Sequence, residues 1–306
     1  MPTPLIYAVV VLIWGTTWYA IKFQLGVVEP EISLVYRFGI ASACVFLFAR
    51  LTGSPLRLGW REHRYVAIQG LTLFCINYWM TYLSTQYLTS GLVAVLFTSI
   101  IFMNLVNARM IFGTPVEARV LLAAAAGMLG VALLFLPELR AALENQTVAL
   151  GAALALAATY VASLGNMAAM RNTAQGLPVV TVNAYGMAYG TAGLVIVALL
   201  RGTPLAFDAS WPYVLSLLYL ALAGTSLAFG LYLVLLKRIG GARAAYTSVL
   251  FPVVALTVST LFEGYHWSAP AVLGLVVLVA GNALALSKRA RAGVSAAGPA
   301  TDKIPA

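Results

Sequence analysis

The sequence contains ten long apolar runs, five on each side of a polar stretch at 137–147. A chain that crosses a bilayer five times ends on the side opposite to the one where it started. The second set of five spans must therefore have the inverted orientation relative to the first. This arrangement is the inverted repeat of many transporters. We predict spans at 5–22, 31–49, 65–84, 90–110, 119–136, 148–169, 179–200, 212–236, 241–262 and 269–287.

The composition is that of a membrane protein, since 62% of residues are hydrophobic and 9% are charged, against about 25% charged in soluble domains. Each span needs about 20 apolar residues, so ten spans take up nearly the whole length and leave no sizeable soluble domain. We predict an all-α fold of ten transmembrane helices, with repeats at 1–144 and 145–287 around a central cavity, and a disordered cytoplasmic tail at 288–306. The first span has no basic segment before it and is not expected to be a cleaved signal peptide.

The basic residues show which way the spans cross. Of the 18 Lys and Arg residues, fourteen lie at the predicted side of both termini and the even-numbered connections. Three, Lys22, Arg140 and Arg201, lie on the other side. The positive-inside rule then places both termini in the cytoplasm. The net charge of +9 therefore indicates topology, with the lipid bilayer rather than nucleic acid as the partner.

Aromatic side chains in the first span are candidates for a substrate cavity. Trp14 and Trp18 are four residues apart and share a helix face. A membrane-surface aromatic belt is the alternative, although Trp14 lies near the centre of the span.

The third span contains an aromatic stripe, Phe74, Tyr78 and Tyr82, with Asn77 and Trp79 beside it. Packing alone explains many such stripes. An amide in hydrocarbon, however, needs a polar partner, so we predict that Asn77, Tyr78, Trp79 and Tyr82 line the cavity.

Later spans add polar and aromatic candidates. Hydroxyl groups are weak signals because they can bond to their own helix backbone. The further predicted cavity residues are Ser99, Tyr160, Ser163, Phe229, Tyr246 and Ser248.

Pro252 lies inside the ninth span, where it removes one helix hydrogen bond and frees a carbonyl. It predicts either a hinge or a passive kink. An offset of 151 residues places Ile101 at the equivalent position of the first repeat, so the break is expected in one copy only. The other predicted hinge or gating residues are Gly15, Gly91 and Gly241.

Arg37 is the one basic residue well inside a predicted span rather than near its end, and intramembrane charges mark functional sites by default. It could have an orienting role, paired with Glu29 or Glu31, or contact the substrate directly.

Several of these features together resemble the EamA branch of the drug/metabolite transporter superfamily. They are Trp14-Gly15, Arg37, the repeated five-helix unit, and Pro252 followed by Phe262-Glu263-Gly264 before the last span. The chain looks more closely like the YddG-type aromatic amino-acid exporters of bacteria. The resemblance implies a bacterial inner-membrane protein whose cavity is lined by spans one, three, four, six, eight and nine. The first repeat departs from the pattern at Ile101 and near Gly113-Thr114.

The candidate side chains suit a small molecule with a ring, an ammonium and a carboxylate, because rings stack broadly and attract cations. No Asp or Glu lies inside an apolar run, since Glu31 and Glu263 are found only at the ends of spans, and this favours a facilitator or exchanger without obligatory proton coupling. A proton-coupled drug, metabolite or lipid-like carrier of the same superfamily is the alternative. A phosphate-bearing substrate would need several intramembrane cations.

An intramembrane enzyme is disfavoured, because His63, His266, Asp208 and Asp302 all lie outside the spans. We therefore expect no catalytic residues, metal or cofactor. A scaffold role would need a larger cytoplasmic segment. The expected state is a monomer or weak homo-oligomer that binds a small-molecule substrate.

Overall fold

The computed structural model describes residues 1–115, 118–134, 136, 146–245 and 247–286, and every regular element in these ranges is helical. The first five helices are α1 (Thr3–Lys22), α2 (Pro30–Leu51), α3 (Trp60–Gly70, Leu71–Ile76 and Asn77–Thr85), α4 (Ser90–Phe97 and Ile100–Phe112) and α5 (Ala118–Leu134). The second five are α6 (Gln146–Ala174), α7 (Val179–Arg201), α8 (Trp211–Leu218, Tyr219–Leu227 and Ala228–Ala245), α9 (Thr247–Phe262) and α10 (Ala269–Leu286). The predicted all-α fold is confirmed. The predicted repeat boundary and C-terminal tail fall outside the described residues.

Six of these helices are long and apolar enough to cross a membrane, namely α1, α2, α4, α6, α7 and the Trp211–Tyr232 part of α8. Shorter apolar stretches lie in α5, α9 and α10, at Leu121–Leu134, Leu250–Phe262 and Ala269–Gly281. Helix α3 carries more polar residues along its length. Together the ten helices match the ten predicted spans in order.

The two sets of five helices make equivalent contacts. The pair α1–α9 corresponds to α6–α4, α1–α8 to α6–α3, and α2–α8 to α7–α3, while α2–α7 and α5–α10 correspond to themselves. Replacing each helix by its equivalent in the other set of five thus turns every one of these contacts into a contact that is present. This is the contact pattern of an internal repeat related by a two-fold axis.

The interface between α5 and α10 shows the symmetry at atomic detail. A Cβ on Gly130 would lie against the backbone nitrogen of Leu278 and 2.7 Å from the carbonyl oxygen of Gly274. A Cβ on Gly281 would lie 2.7 Å from the backbone nitrogen of Gly127. An offset of 151 residues converts Gly130 to Gly281 and Gly127 to Leu278. The two helices run antiparallel, as inverted repeats require, and small residues let their backbones touch.

Helices α3 and α8 each contain a π-helical segment, at Leu71–Ile76 and Tyr219–Leu227. The same offset places the first segment at 222–227, inside the second. Such segments insert an extra residue into a helix and are frequent at functional sites. Nothing in the amino-acid pattern predicted them.

Helix α9 runs continuously from Thr247 to Phe262 with Pro252 inside it, so a hinge or kink at this proline stays a prediction. A helix interruption that the sequence did not predict lies in the first repeat, at Thr98 and Ser99. Their backbone N–H groups bond to carbonyls only three residues back, and their hydroxyls bond to the same carbonyls. This local tightening ends one helical segment and begins the next.

Helix α8 also extends beyond its predicted end, so Gly241 lies within the segment Ala228–Ala245 rather than at the start of α9. Ile239 and the buried Ala244 pack against Ile6 and Val10 of α1. These apolar contacts favour continuation of the helix.

Candidate functional site

A cavity of about 430 Å³ lies between the two halves. Helices α1, α3, α4, α6, α7, α8 and α9 contribute to its wall, and α2 contributes Arg37. The exposed Thr173 and Val179, at the connection between α6 and α7, belong to its lining. The cavity therefore opens at the end of the molecule where the N-terminus lies, and its volume is that of a small-molecule site.

Aromatic rings form much of the wall. Trp14 packs edge-on against Phe229 at 5.9 Å between ring centroids. Trp18 lies 5.4 Å from Phe97 and stacks at 6.1 Å on Phe251. The aromatic lining residues are Trp14, Trp18, Phe74, Tyr78, Phe97, Phe229, Tyr232 and Phe251.

Side-chain amides line the part of the cavity near its mouth. Asn172 donates from Nδ2 to Oε1 of Gln69 at 2.9 Å, and Gln69 donates from Nε2 to Oδ1 of Asn183 at 3.5 Å. Deeper in the cavity, Asn166 donates to Asn104 at 3.3 Å. Because these amides join α3, α4, α6 and α7, they give a polar entrance to an otherwise apolar space.

Arg37 is the one charged side chain among the described lining residues, and it is 2% exposed. Its guanidinium lies over the ring of Tyr78, 4.7 Å from the centroid. It donates to the hydroxyl of Tyr82 at 3.2 Å and to Thr225 at 3.5 Å. The expected pairing with a glutamate is not seen, because buried Glu31 instead pairs with Arg201 at 3.4 Å.

The far end of the cavity is closed by a group we call the Glu263 cluster: Lys22, Ser90, Ser259 and Glu263. The Glu263 carboxylate accepts from the Ser90 backbone N–H at 3.1 Å and from both serine hydroxyls. Lys22 Nζ lies 3.6 Å from Oε1 of Glu263 and donates to the carbonyl of Leu88 at 3.0 Å. These bonds join the ends of α1 and α9 to the start of α4.

Contacts at the two ends differ accordingly. Helix α1 packs against the first segment of α4. The equivalent pair, α6–α9, makes no contact of comparable extent among the described residues. Since the symmetry-related contacts lie at opposite ends, the molecule is closed at the Glu263 cluster and open at the other end.

Five of the predicted cavity residues line the cavity: Trp14, Trp18, Asn77, Tyr78 and Phe229. The other two residues predicted in α3 do not. Trp79 donates from Nε1 to Glu31 at 3.1 Å, and fully buried Tyr82 accepts from Arg37. Both side chains lie behind the wall and support the groups that form it.

Predicted residues in α4 and α6 also lie away from the cavity. Ser99 bonds to the carbonyl of Leu96 within its own helix. Ser163 is buried and accepts from Nδ2 of Asn107 at 2.9 Å, which joins α6 to α4. Tyr160 is 48% exposed on the outer surface. Tyr246 and the side chain of Ser248 fall outside the described residues.

The predicted hinge glycines lie where helices approach closely. A Cβ on Gly15 would lie 2.5 Å from the side chain of Val254 in α9. Gly91 donates its N–H to Ser259 at 2.8 Å, beside the Glu263 cluster. Both positions are close contacts between α9 and its neighbours.

Sequence reasoning missed several lining residues. Phe97 and Phe251 had no stripe to mark them, and Asn172 lay beyond the predicted end of the sixth span, whereas α6 extends to Ala174. The available signal was a side-chain amide: Asn172 lies just past the predicted sixth span, and Asn183 lies inside the predicted seventh span. The described residues hold no group of three or more potential metal ligands.

Comparison with known proteins agrees with this architecture. The EamA-like transporter family model matches residues 2–136 and 149–287, one match for each set of five helices. The chain is 23% identical to Protein PagO of Salmonella typhimurium over 93% of both chains. It is 24% identical to that organism's "Probable amino-acid metabolite efflux pump", over 89% of this chain and 90% of the relative. The uncharacterized inner membrane transporter YedA of Escherichia coli K12 is 27% identical, over 88% of this chain and 85% of the relative.

A solved crystal structure shares the fold, with a TM-score of 0.67 at 16% identity over 97% of this chain and 99% of the other. The double family match covers most of the sequence, and its two ranges coincide with the two halves seen in the contacts. The protein belongs to the EamA-like transporter family.

Proposed function

We propose that the protein exports small aromatic or apolar metabolites across the bacterial inner membrane, with aromatic amino acids as its main substrates. The observation that carries this proposal is the cavity of about 430 Å³ with eight aromatic side chains in its wall. Rings of a substrate can stack on such a wall with little dependence on their substituents. One relative carries the name "Probable amino-acid metabolite efflux pump", which points to the same substrate class.

The charge distribution supports the direction of loading. With both termini in the cytoplasm, as the positive-inside rule indicates, the mouth between α6 and α7 faces the cytoplasm. The Glu263 cluster then closes the periplasmic end. Substrate would enter from the cytoplasm past Gln69, Asn172 and Asn183 and leave when the opposite end opens, as in alternating access between inverted repeats.

The two ends are chemically unequal. The 151-residue offset relates Lys22, Ser90, Ser259 and Glu263 to Thr173, Gly241, Ala108 and Phe112. The cytoplasmic end therefore has no equivalent of the ion pair. We infer that the protein without substrate favours the state open to the cytoplasm. Only substrate binding and apolar packing would then stabilise the state in which the cytoplasmic end is closed.

Counterflow in liposomes tests the proposed substrate class. Purified protein is reconstituted with unlabelled tryptophan inside, and uptake of labelled tryptophan, phenylalanine, leucine, lysine and glutamate is followed. We expect exchange of the aromatic amino acids, weaker exchange of leucine and none of the charged pair. Exchange confined to drugs or lipids would instead favour the alternative carrier of the same family.

A further inference from the structure

Arg37 is a buried cation that has no counter-ion among the described residues. It takes part in neither of the ion pairs found there, Lys22–Glu263 and Arg201–Glu31. Its Nε–H group, which is buried, has no hydrogen-bond partner in the described part of the chain. An unpaired charge out of water costs several kcal/mol, so a cation kept in this state implies that something else supplies the negative charge.

The guanidinium is nevertheless held firmly. Tyr82 and Thr225 accept from its two terminal nitrogens, and the rings of Phe38 and Tyr78 lie 5.2 and 4.7 Å from its central carbon. Thr225 lies in the π-helical segment of α8, where its own hydroxyl donates to the carbonyl of Leu220. The Thr225 oxygen therefore accepts from Arg37 through a free lone pair, and the guanidinium is oriented before any ligand binds.

We propose that Arg37 is the subsite for the carboxylate of the substrate. Arginine binds carboxylates through parallel N–H···O bonds, and this guanidinium lines the cavity with donors unused. The ring of Tyr78, already beside Arg37, is placed to contact the substrate's apolar part. This inference rests on the proposed function only because it takes the cavity as the transport site. It adds the requirement that each substrate carry a carboxylate group.

The single positive charge also sets the charge of the ligand. One carboxylate neutralises Arg37, whereas a phosphate dianion would leave a buried negative charge uncompensated. No Asp or Glu among the described lining residues competes for the guanidinium. A monoanionic group is therefore the matching ligand.

Substrate analogues test this directly in wild-type protein. Tryptophan, tryptophanamide, tryptamine and indole-3-propionate differ in carboxylate and ammonium but share the ring. Competition for labelled tryptophan exchange should be at least about tenfold stronger for tryptophan and indole-3-propionate than for the two compounds without a carboxylate, since hydrogen bonds to charged groups are stronger than neutral ones and tenfold corresponds to about 1.4 kcal/mol. Equal competition by all four would overturn the proposal.

Two variants separate a binding role from a structural one. Arg37→Gln keeps hydrogen-bond donors for Tyr82 and Thr225 but removes the charge, and it should abolish the preference for carboxylates. Because it also removes an uncompensated buried cation, its thermal stability without substrate should equal or exceed that of wild type. Arg109→Gln, a change at an exposed arginine of α4, is the matched control and should retain the preference.

Thermal stabilisation by ligands supplies a readout without transport. Tryptophan should raise the melting temperature of wild type but not of Arg37→Gln. An equal Arg37-dependent rise with chloride alone would show a simple anion site and overturn the proposal. So would a large loss of stability in Arg37→Gln with the carboxylate preference intact. If carboxylates of other kinds were accepted and aromatic amino acids refused, the proposed function would fail while the role of Arg37 stood.

Discussion

Lys22 and Glu263 lie 3.6 Å apart, Nζ to Oε1, and connect the end of α1 to the residue that follows α9. The Glu263 side chain is 8% exposed, and its carboxylate also accepts from the first residue of α4, Ser90. Three cavity-forming helices thus meet at one carboxylate. Separating them requires breaking charge-assisted hydrogen bonds, which are about twice as strong as neutral ones.

We predict that Glu263→Gln opens the end of the cavity that the Glu263 cluster closes. A cysteine at Thr81, a buried lining residue, in a background without Cys44 and Cys75 reports access to the cavity from that side. Its reaction with an impermeant thiol reagent in right-side-out vesicles should accelerate by roughly tenfold, since each lost charged hydrogen bond amounts to about 1.5 kcal/mol or more.

Glu29→Gln is the matched control for this change. Glu29 lies at the same end of the molecule and is exposed, and it is absent from the Glu263 cluster. In the Glu29→Gln variant, the cysteine at Thr81 should be labelled at the same rate as in the protein with Glu29 and Glu263 unchanged. Equal acceleration in both variants would show that the surface charge, rather than the cluster, governs access.

We predict that Tyr78→Ala lowers the apparent affinity for tryptophan by roughly tenfold, because one ring of the cavity wall and the support under Arg37 are lost together. Tyr160→Ala removes the same atoms from an exposed surface position. It should leave exchange in liposomes unchanged. A larger effect at Tyr160 than at Tyr78 would place the transport route outside this cavity.

The fold was largely predictable because membrane spans are set by length, hydropathy and charge. The odd number of spans required inversion, and Gly130 and Gly281 show in atomic contacts the 151-residue offset found in the sequence. The ends of helices were less predictable. The extension of α8 past Gly241 depends on packing of Ile239 and Ala244 against α1, which a single run of residues does not show.

The site was only partly predictable, and helix α3 shows why. The stripe of Phe74, Tyr78 and Tyr82 assumed regular α-helical spacing, in which residues four apart share a face. The π-helical segment Leu71–Ile76 inserts one residue, about 100° of rotation at 3.6 residues per turn. Even within the regular segment Asn77–Thr85, Tyr78 lines the cavity whereas Tyr82 lies behind its wall and accepts from Arg37 of α2. The stripe alone could not show this, because it depends on how α2 packs against α3.

We predict that Gly130→Ala and Gly281→Ala destabilise the protein by similar amounts, about 1–3 kcal/mol each, because each methyl group would collide with the backbone of the facing helix. Denaturation in detergent, followed by helix content, measures the effect. Gly230→Ala is the control, since a Cβ there meets nothing within 4 Å. Unequal losses at Gly130 and Gly281 would contradict the symmetry of the α5–α10 interface.

We predict that transport proceeds without stoichiometric proton movement. A proton-coupled carrier needs a titratable group along the substrate path, and the described cavity lining contains no Asp, Glu, His or Lys. Glu263 lies in the Glu263 cluster, bonded to Lys22 and two serines, and does not line the cavity.

With a pH-sensitive dye inside liposomes, tryptophan flux should leave the luminal pH constant, and the rate of exchange should be unaffected by an imposed pH gradient. Luminal pH changes proportional to flux, lost in Glu263→Gln, would instead make that carboxylate a proton carrier and its hydrogen-bonded cluster the coupling site.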